Sequence, residues 1–224
     1  MIEYIKAQKE ANEAVINNAF TSDELHRFSK SDSRWVSNKG KSYQTRKVKK
    51  GEIYQFEFGK NYAPEMSYEH RGLVIGVKNK LLYVLPIYSY DSKKHANVYH
   101  PVDFPNSKSD LYLLKNSEFS WINHDSILKL NDIRTVSINR IQYKHSGNID
   151  PTTDTYKSIE TLVLKKYFAE FHHEFETDKK TIETLKEDNT KLTEAVDELK
   201  SENQKLMEEI ERLKEKLEKT EMKE

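Results

Sequence analysis

Apolar and polar positions change rhythm three times along the chain. In residues 1–30, Ile2, Ile5, Val15, Ile16, Ala19 and Phe20 form a partial stripe uninterrupted by Gly or Pro, which predicts helix. Thr21-Ser22-Asp23-Glu24-Leu25 then reads as a helix stop followed by a fresh N-cap. From Gly51 to Ser89 the pattern is one of strands. Ile53, Phe56 and Phe58 mark a short one, and 60–69, with Pro64, suits a loop. The apolar runs at 70–77 and 81–87, parted by Lys78-Asn79-Lys80, predict a hairpin buried on both faces. Beyond Tyr88 come short strands and turns. Pro101 confines 97–102 to an edge or bulge, 110–114 reads as an inserted strand or turn, and 126–130 with 133–138 completes a small antiparallel barrel.

The third rhythm is helical. Asp150-Pro151 opens a helix, and from Thr152 to Glu224 neither Gly nor Pro forces a break. Ile159, Leu162, Val163, Lys166 and Tyr167 turn one face toward the strands. From Phe168 a heptad takes over, with a at Phe168, Phe175, Ile182, Asn189, Val196, Asn203, Ile210 and Leu217. Position d falls at Phe171, Asp178, Leu185, Leu192, Leu199, Leu206, Leu213 and Thr220. β-Branched residues and Asn at a, with Leu at d, predict a parallel two-stranded coiled coil, a rod about 58 Å long from Ile182 to Thr220. Glu209 with Lys214 and Lys216 with Glu221 are its opposite-sign g–e′ pairs.

Three blocks carry a resemblance. Lys50-Gly51-Glu52-Ile53-Tyr54 opens the strand region, and Glu65 lies in the following loop. His70-Arg71-Gly72-Leu73-Val74-Ile75 and Val84-Leu85-Pro86-Ile87-Tyr88 form the hairpin. Asp125-Ser126-Ile127-Leu128-Lys129-Leu130-Asn131-Asp132-Ile133-Arg134-Thr135-Val136 comes third. In this order they resemble the MazF/PemK family of toxin ribonucleases, over roughly residues 48–170. The resemblance implies a mainly β fold, an SH3-like small barrel, here with a helical N-terminal extension and the long C-terminal helix. It also implies a metal-independent endoribonuclease with no cofactor, single-stranded RNA as substrate and a cognate antitoxin as partner.

Such an enzyme must deprotonate a ribose 2′-OH, stabilise the charge gathering on phosphate and protonate the leaving 5′ oxygen. Arg71 matches the family's catalytic Arg, and its guanidinium offers a fork of donors suited to phosphate. The competing reading pairs Arg71 with Glu65 or Glu69. His70 titrates near neutrality, but neighbours on a strand face opposite ways. Glu65 is a candidate base. Where the family carries Thr this chain has Tyr88, followed by Ser89, and only one of the two can share a face with Arg71. Gly72 replaces the usual Pro and Asn131 an acid. Tyr62 and Tyr68 are candidate base-stacking residues, with Lys129 and Arg134 as candidate phosphate contacts.

Composition adds limits. Lys+Arg and Asp+Glu both number 37, so net charge selects no partner. Residues 37–50 are locally basic, either a solvated linker or a phosphate-binding strip; Trp35, just before them, is expected to anchor the linker. The absence of cysteine excludes disulfides and thiolate metal sites and fits a reducing cytoplasm. No signal peptide or membrane-spanning run is evident. The expected organisation is 1–47 helical extension and basic linker, 48–175 barrel with its terminal helix, and 176–224 coiled coil. The expected assembly is a homodimer through the coil and possibly the barrel. Two alternatives stand beside the ribonuclease: a catalytically decayed RNA- or protein-binding module, and a poison of another target such as a topoisomerase.

Overall fold

The hairpin predicted around Lys78-Asn79-Lys80 forms the middle of the molecule. In the computed structural model, β2 (Glu69–Lys78) and β3 (Leu81–Ser89) pair antiparallel, with Lys78 opposite Leu81. Asn79 takes the left-handed turn at φ 57°, a conformation Asn tolerates better than most residues. The structure describes residues 1–18 and 20–221, apart from the side chains of 218, 220 and 221. Ala19 of the expected N-terminal stripe, the d position at Thr220 and the pairing of Lys216 with Glu221 therefore lie outside the described residues. The chain divides into two units, Met1–Tyr167 and Phe168–Glu224.

In the first unit, β1 (Glu52–Glu57), β4 (Leu111–Leu114), β5 (Ser126–Lys129), β6 (Arg134–Ser137) and β7 (Ile141–Asn148) join the hairpin. The result is a seven-stranded sheet of order β4-β5-β3-β2-β1-β7, with β6 also paired to β3, and every ladder is antiparallel. The segment 97–102 makes only isolated bridges, Tyr99 with Tyr112 and His100 with Phe104, because Pro101 has no N–H to continue a ladder. Gly51 opens β1 at φ 84°. A Cβ there would sit 2.2 Å from the Ile149 carbonyl oxygen, so no other residue type fits without a shift.

Alternation sorts the strand residues into two cores. Ile53, Leu73, Leu85, Ile87 and Leu128 bury on one face, where the helix α3 (Asp154–Tyr167) covers them with Tyr156, Ile159 and Val163. The Tyr156 hydroxyl donates to the Ile75 carbonyl at 3.3 Å. Tyr54, Phe56, Val74, Leu82 and Val84 bury on the other face with Val136, Ile138 and Ile141. The helix expected from Asp150-Pro151 begins later, at Asp154. Asp150 instead accepts from the N–H of Thr152 at 2.8 Å, and the Thr153 hydroxyl accepts from Tyr156 N–H.

Two helices precede the sheet, α1 (Ile2–Asn17) and α2 (Ser22–Asn38). Thr21 caps α2 in a reciprocal box with Glu24, the stop-and-restart read from the sequence. No residue of α1 is buried. Trp35, expected to anchor the linker, is 62% exposed, with the Lys39 ammonium 5.2 Å above its ring. The linker is held by Gln44 instead, whose N–H donates to Asn139 Oδ1 at 2.9 Å, and by Val48 against the second core.

The second unit is α4 (Ala169–Glu221), a helix of 53 residues. The sequence demands no break after Thr152, yet α3 stops at Tyr167 and α4 starts after Phe168. The last turn of α3 is tied down, with the Tyr167 hydroxyl accepting from Ile133 N–H at 2.9 Å and Lys166 paired to Asp110. Among the described residues no helix is long and apolar enough to cross a membrane.

Candidate active site

Arg71 sits in the middle of a row that crosses the sheet. The ladders place Leu128, Ile87, Arg71, Gln55 and Tyr143 side by side on β5, β3, β2, β1 and β7. Directly opposed residues share a face, so Arg71 continues the apolar surface of Leu73 and Ile75 beyond its buried part. Its Nη2 donates to Ser126 Oγ at 3.1 Å. It makes no ion pair among the described residues; Glu69 is engaged by Arg34 and Lys30, and Glu65 by Arg134. Burial lowers its pKa, but a guanidinium starts so high that it stays charged. A half-buried cation with no counter-charge among the described residues has the electrostatics to hold an anion.

One flank is imidazole and phenol. His145 on β7 places Nε2 3.2 Å from Gln55 Oε1, and its ring lies 5.2 Å from that of Tyr143. In the tautomer that donates from Nε2 to Gln55 Oε1, Nδ1 keeps the lone pair. Burial, and then the Arg71 charge, lower the His145 pKa from its ordinary value, which keeps the ring neutral and basic near pH 7. The other flank is Ser126, buried, with Ser89 opposite it in the ladder and His124 Nε2 2.8 Å from Ser89 Oγ. Ser126 Oγ donates to the His124 carbonyl at 3.2 Å, which fixes the loop carrying that ring.

The choice between Tyr88 and Ser89 follows from the register. Ser89 lies on the face of Arg71, two residues along from Ile87. Tyr88 points the other way, into a cluster with Val98, Leu113 and Ile127, where burial raises its pKa and His95 meets its ring at 5.3 Å. His70 opposes Phe56, away from Arg71, and burial and Arg27 lower its pKa.

Glu65, Lys129 and Arg134 form a separate cluster around Asp132. Arg134 pairs with Asp132 at 2.6 Å and Glu65 at 3.1 Å, Asp132 accepts from Met66 N–H at 2.7 Å, and Lys129 donates to the Pro64 carbonyl. These charges fasten the 60–69 loop and are spent on one another. Tyr62 at the loop's tip is 90% exposed, while Tyr68, at φ 64°, is half-buried against α2.

The same alternation puts Glu57 and Glu69 on the face of Arg71, at its far end, and there α2 closes over them. Arg34 reaches both carboxylates at 2.8 Å, Lys30 reaches Glu69 at 3.5 Å, and Ser31 donates to Glu57 at 3.1 Å. The pairing with Arg34 lowers the Glu69 pKa despite partial burial. Beside this clamp is a cavity of about 370 Å³ that α2 shares with Gln55, Tyr68 and His70. Arg34→Ala would leave Glu57 with hydrogen bonds but no cation and Glu69 with Lys30 alone. It is expected to cost about 2 kcal/mol, between the values for exposed and buried pairs, read from urea unfolding against Lys30→Ala as control.

Gln55, Ser126, His124, Tyr143 and His145 were not among the residues singled out from the sequence. Gln55 and Ser126 were within reach, one by alternation on β1 and the other inside a quoted block. His124 lies in a loop and His145 on the strand farthest in sequence from Arg71, and no local pattern marks either. Among the described residues no three His, Asp or Glu side chains gather as metal ligands. No family model matches the chain, and comparison with curated proteins finds no match.

Proposed function

We propose that the chain is a metal-independent endoribonuclease of the MazF/PemK type, cleaving single-stranded RNA. The observation that carries this reading is Arg71, a half-buried guanidinium with no carboxylate partner among the described residues, set between two histidine-bearing flanks. The sheet is read as the SH3-like barrel of that family. Its second core supports this, because Val136 on β6 and Ile141 on β7, from strands outside the central hairpin, meet the same residues of β1, β2 and β3. The helix α4 is read as one strand of a coiled coil.

In this mechanism His145 Nδ1 takes the proton from a ribose 2′-OH. The 2′ oxygen bonds to the adjacent phosphorus, and Arg71, its guanidinium held by Ser126 Oγ, steadies the charge on the non-bridging oxygens. The P–O5′ bond breaks, the leaving oxygen takes a proton relayed from water through the His124–Ser89 pair, and His145 gives its proton back to water. The products are a 2′,3′-cyclic phosphate and a 5′-hydroxyl, with no net redox change. Ser89 here takes the position of the family Thr. The exposed ring of Tyr143 is placed to stack a base.

The pH profile tests the assignment of the base. Acid protonates His145 and removes its lone pair, so kcat/KM should fall about tenfold per pH unit below a midpoint lower than 6.5. Arg71→Gln should move that midpoint upward, since part of the depression comes from the Arg71 charge. An unshifted midpoint in Arg71→Gln, or an acid limb that survives in His145→Ala, contradicts the assignment.

A further inference from the structure

We propose that α4 joins a second copy of this chain in a parallel, two-stranded coiled coil with the residues in register. This deepens the reading of α4 as a coiled-coil strand and is independent of the ribonuclease.

The apolar a and d residues from Ile182 to Leu217 are all between 46% and 65% exposed, so one unbroken stripe is left uncovered along the helix. Charge beside the stripe says what covers it. Charged e positions are Lys179, Lys186, Lys200 and Lys214 with Glu221 at the end, and charged g positions are Glu174, Asp188, Glu202 and Glu209 with Lys216 at the end. A parallel pair sets each g against the e′ five residues on, which joins Glu174 to Lys179 and Glu209 to Lys214 and brings no like charges together. Turned end to end, the same helices would set lysines against lysines along one edge and acids against acids along the other everywhere before the last heptad, where Lys216 and Glu221 reverse the signs. The sorting therefore fits a second copy of this helix in one orientation.

Asn189 and Asn203 fix the register. At a positions of a parallel pair each meets its own copy, where the two amides can hydrogen-bond. An axial slip of one heptad, or an antiparallel pairing, would set them against Val, Ile or Leu with their polar groups unmatched.

The chain has no cysteine, so single substitutions report without background. Light scattering on the full-length chain is expected to give the mass of a dimer. Oxidation of Leu185→Cys, and separately of Leu213→Cys, is expected to give covalent dimers, because d residues so far apart meet their own copies only in a parallel in-register pair. Replacing Asn189 and Asn203 together by isoleucine is expected to shift the dimer to trimers or larger species. Four results overturn the proposal: a monomer mass, a native trimer, crosslinks between Leu185→Cys and Leu213→Cys chains without self-crosslinks, or a dimer that forms neither self-crosslink.

Discussion

Arg71→Ala is expected to lower kcat/KM for RNA cleavage by about 10²–10³-fold, the usual effect of removing one pre-organised transition-state donor. The same change should leave the thermal midpoint unchanged or slightly raised. Among the described residues Arg71 makes one hydrogen bond, to Ser126, and no ion pair, while its half-buried charge costs solvation. Ser126 retains its bond to the His124 carbonyl. A residue kept for stability would show the reverse pairing, with a large loss of stability and a matching loss of activity. Arg71→Lys keeps the charge but not the fork of donors, and should fall between wild type and alanine. Steady-state cleavage of an oligoribonucleotide together with a thermal melt separates the cases.

Gly72→Ala is expected to have the largest effect on stability. A Cβ at that position would lie 2.3 Å from Val84 Cγ1 and 2.9 Å from Phe56 Cδ2. Both side chains are fully buried in the second core and have little room to retreat. Overpacking of this severity costs about 3 kcal/mol, and in a unit of this size each kcal/mol lowers Tm by roughly 2–4 °C. Adding Val84→Ala should recover part of the loss, since the cavity it opens takes the new methyl group. Additivity of the two changes, or a Gly72→Ala cost below about 1 kcal/mol, would show that the strands shift instead. The same contacts account for Gly where the resembled family carries Pro, because a pyrrolidine ring would need still more of that space.

What could be read in advance was local. The Thr21 box, the turn at Asn79 and the strand edges of the central hairpin follow from spacing and turn chemistry within a few residues. So does the rule that Arg71 and His70 face apart. Two things were set by distant pairings instead. Which of Tyr88 and Ser89 accompanies Arg71 depends on the β3–β5 register, with Ser89 opposite Ser126. That Glu65 and Arg134 engage each other, leaving Arg71 unpaired, depends on how the 60–69 loop lies over Asp132. His145 was invisible for the same reason, being brought to Gln55 across 90 residues of chain. The break at Phe168 has no sequence signal that we can identify.

Cleavage of RNA through its own 2′-hydroxyl, by Arg71 and its flanking histidines, would be written in the termini it leaves. The most direct measurement incubates the full-length chain with a single-stranded RNA in the presence of EDTA and identifies both new termini. The expected result is 2′,3′-cyclic phosphate and 5′-hydroxyl ends at defined positions, absent with Arg71→Ala and absent when the nucleotide before the cut is 2′-deoxy. Cleavage of the 2′-deoxy substrate, ends that persist in Arg71→Ala, or no cleavage by the wild-type chain would contradict it.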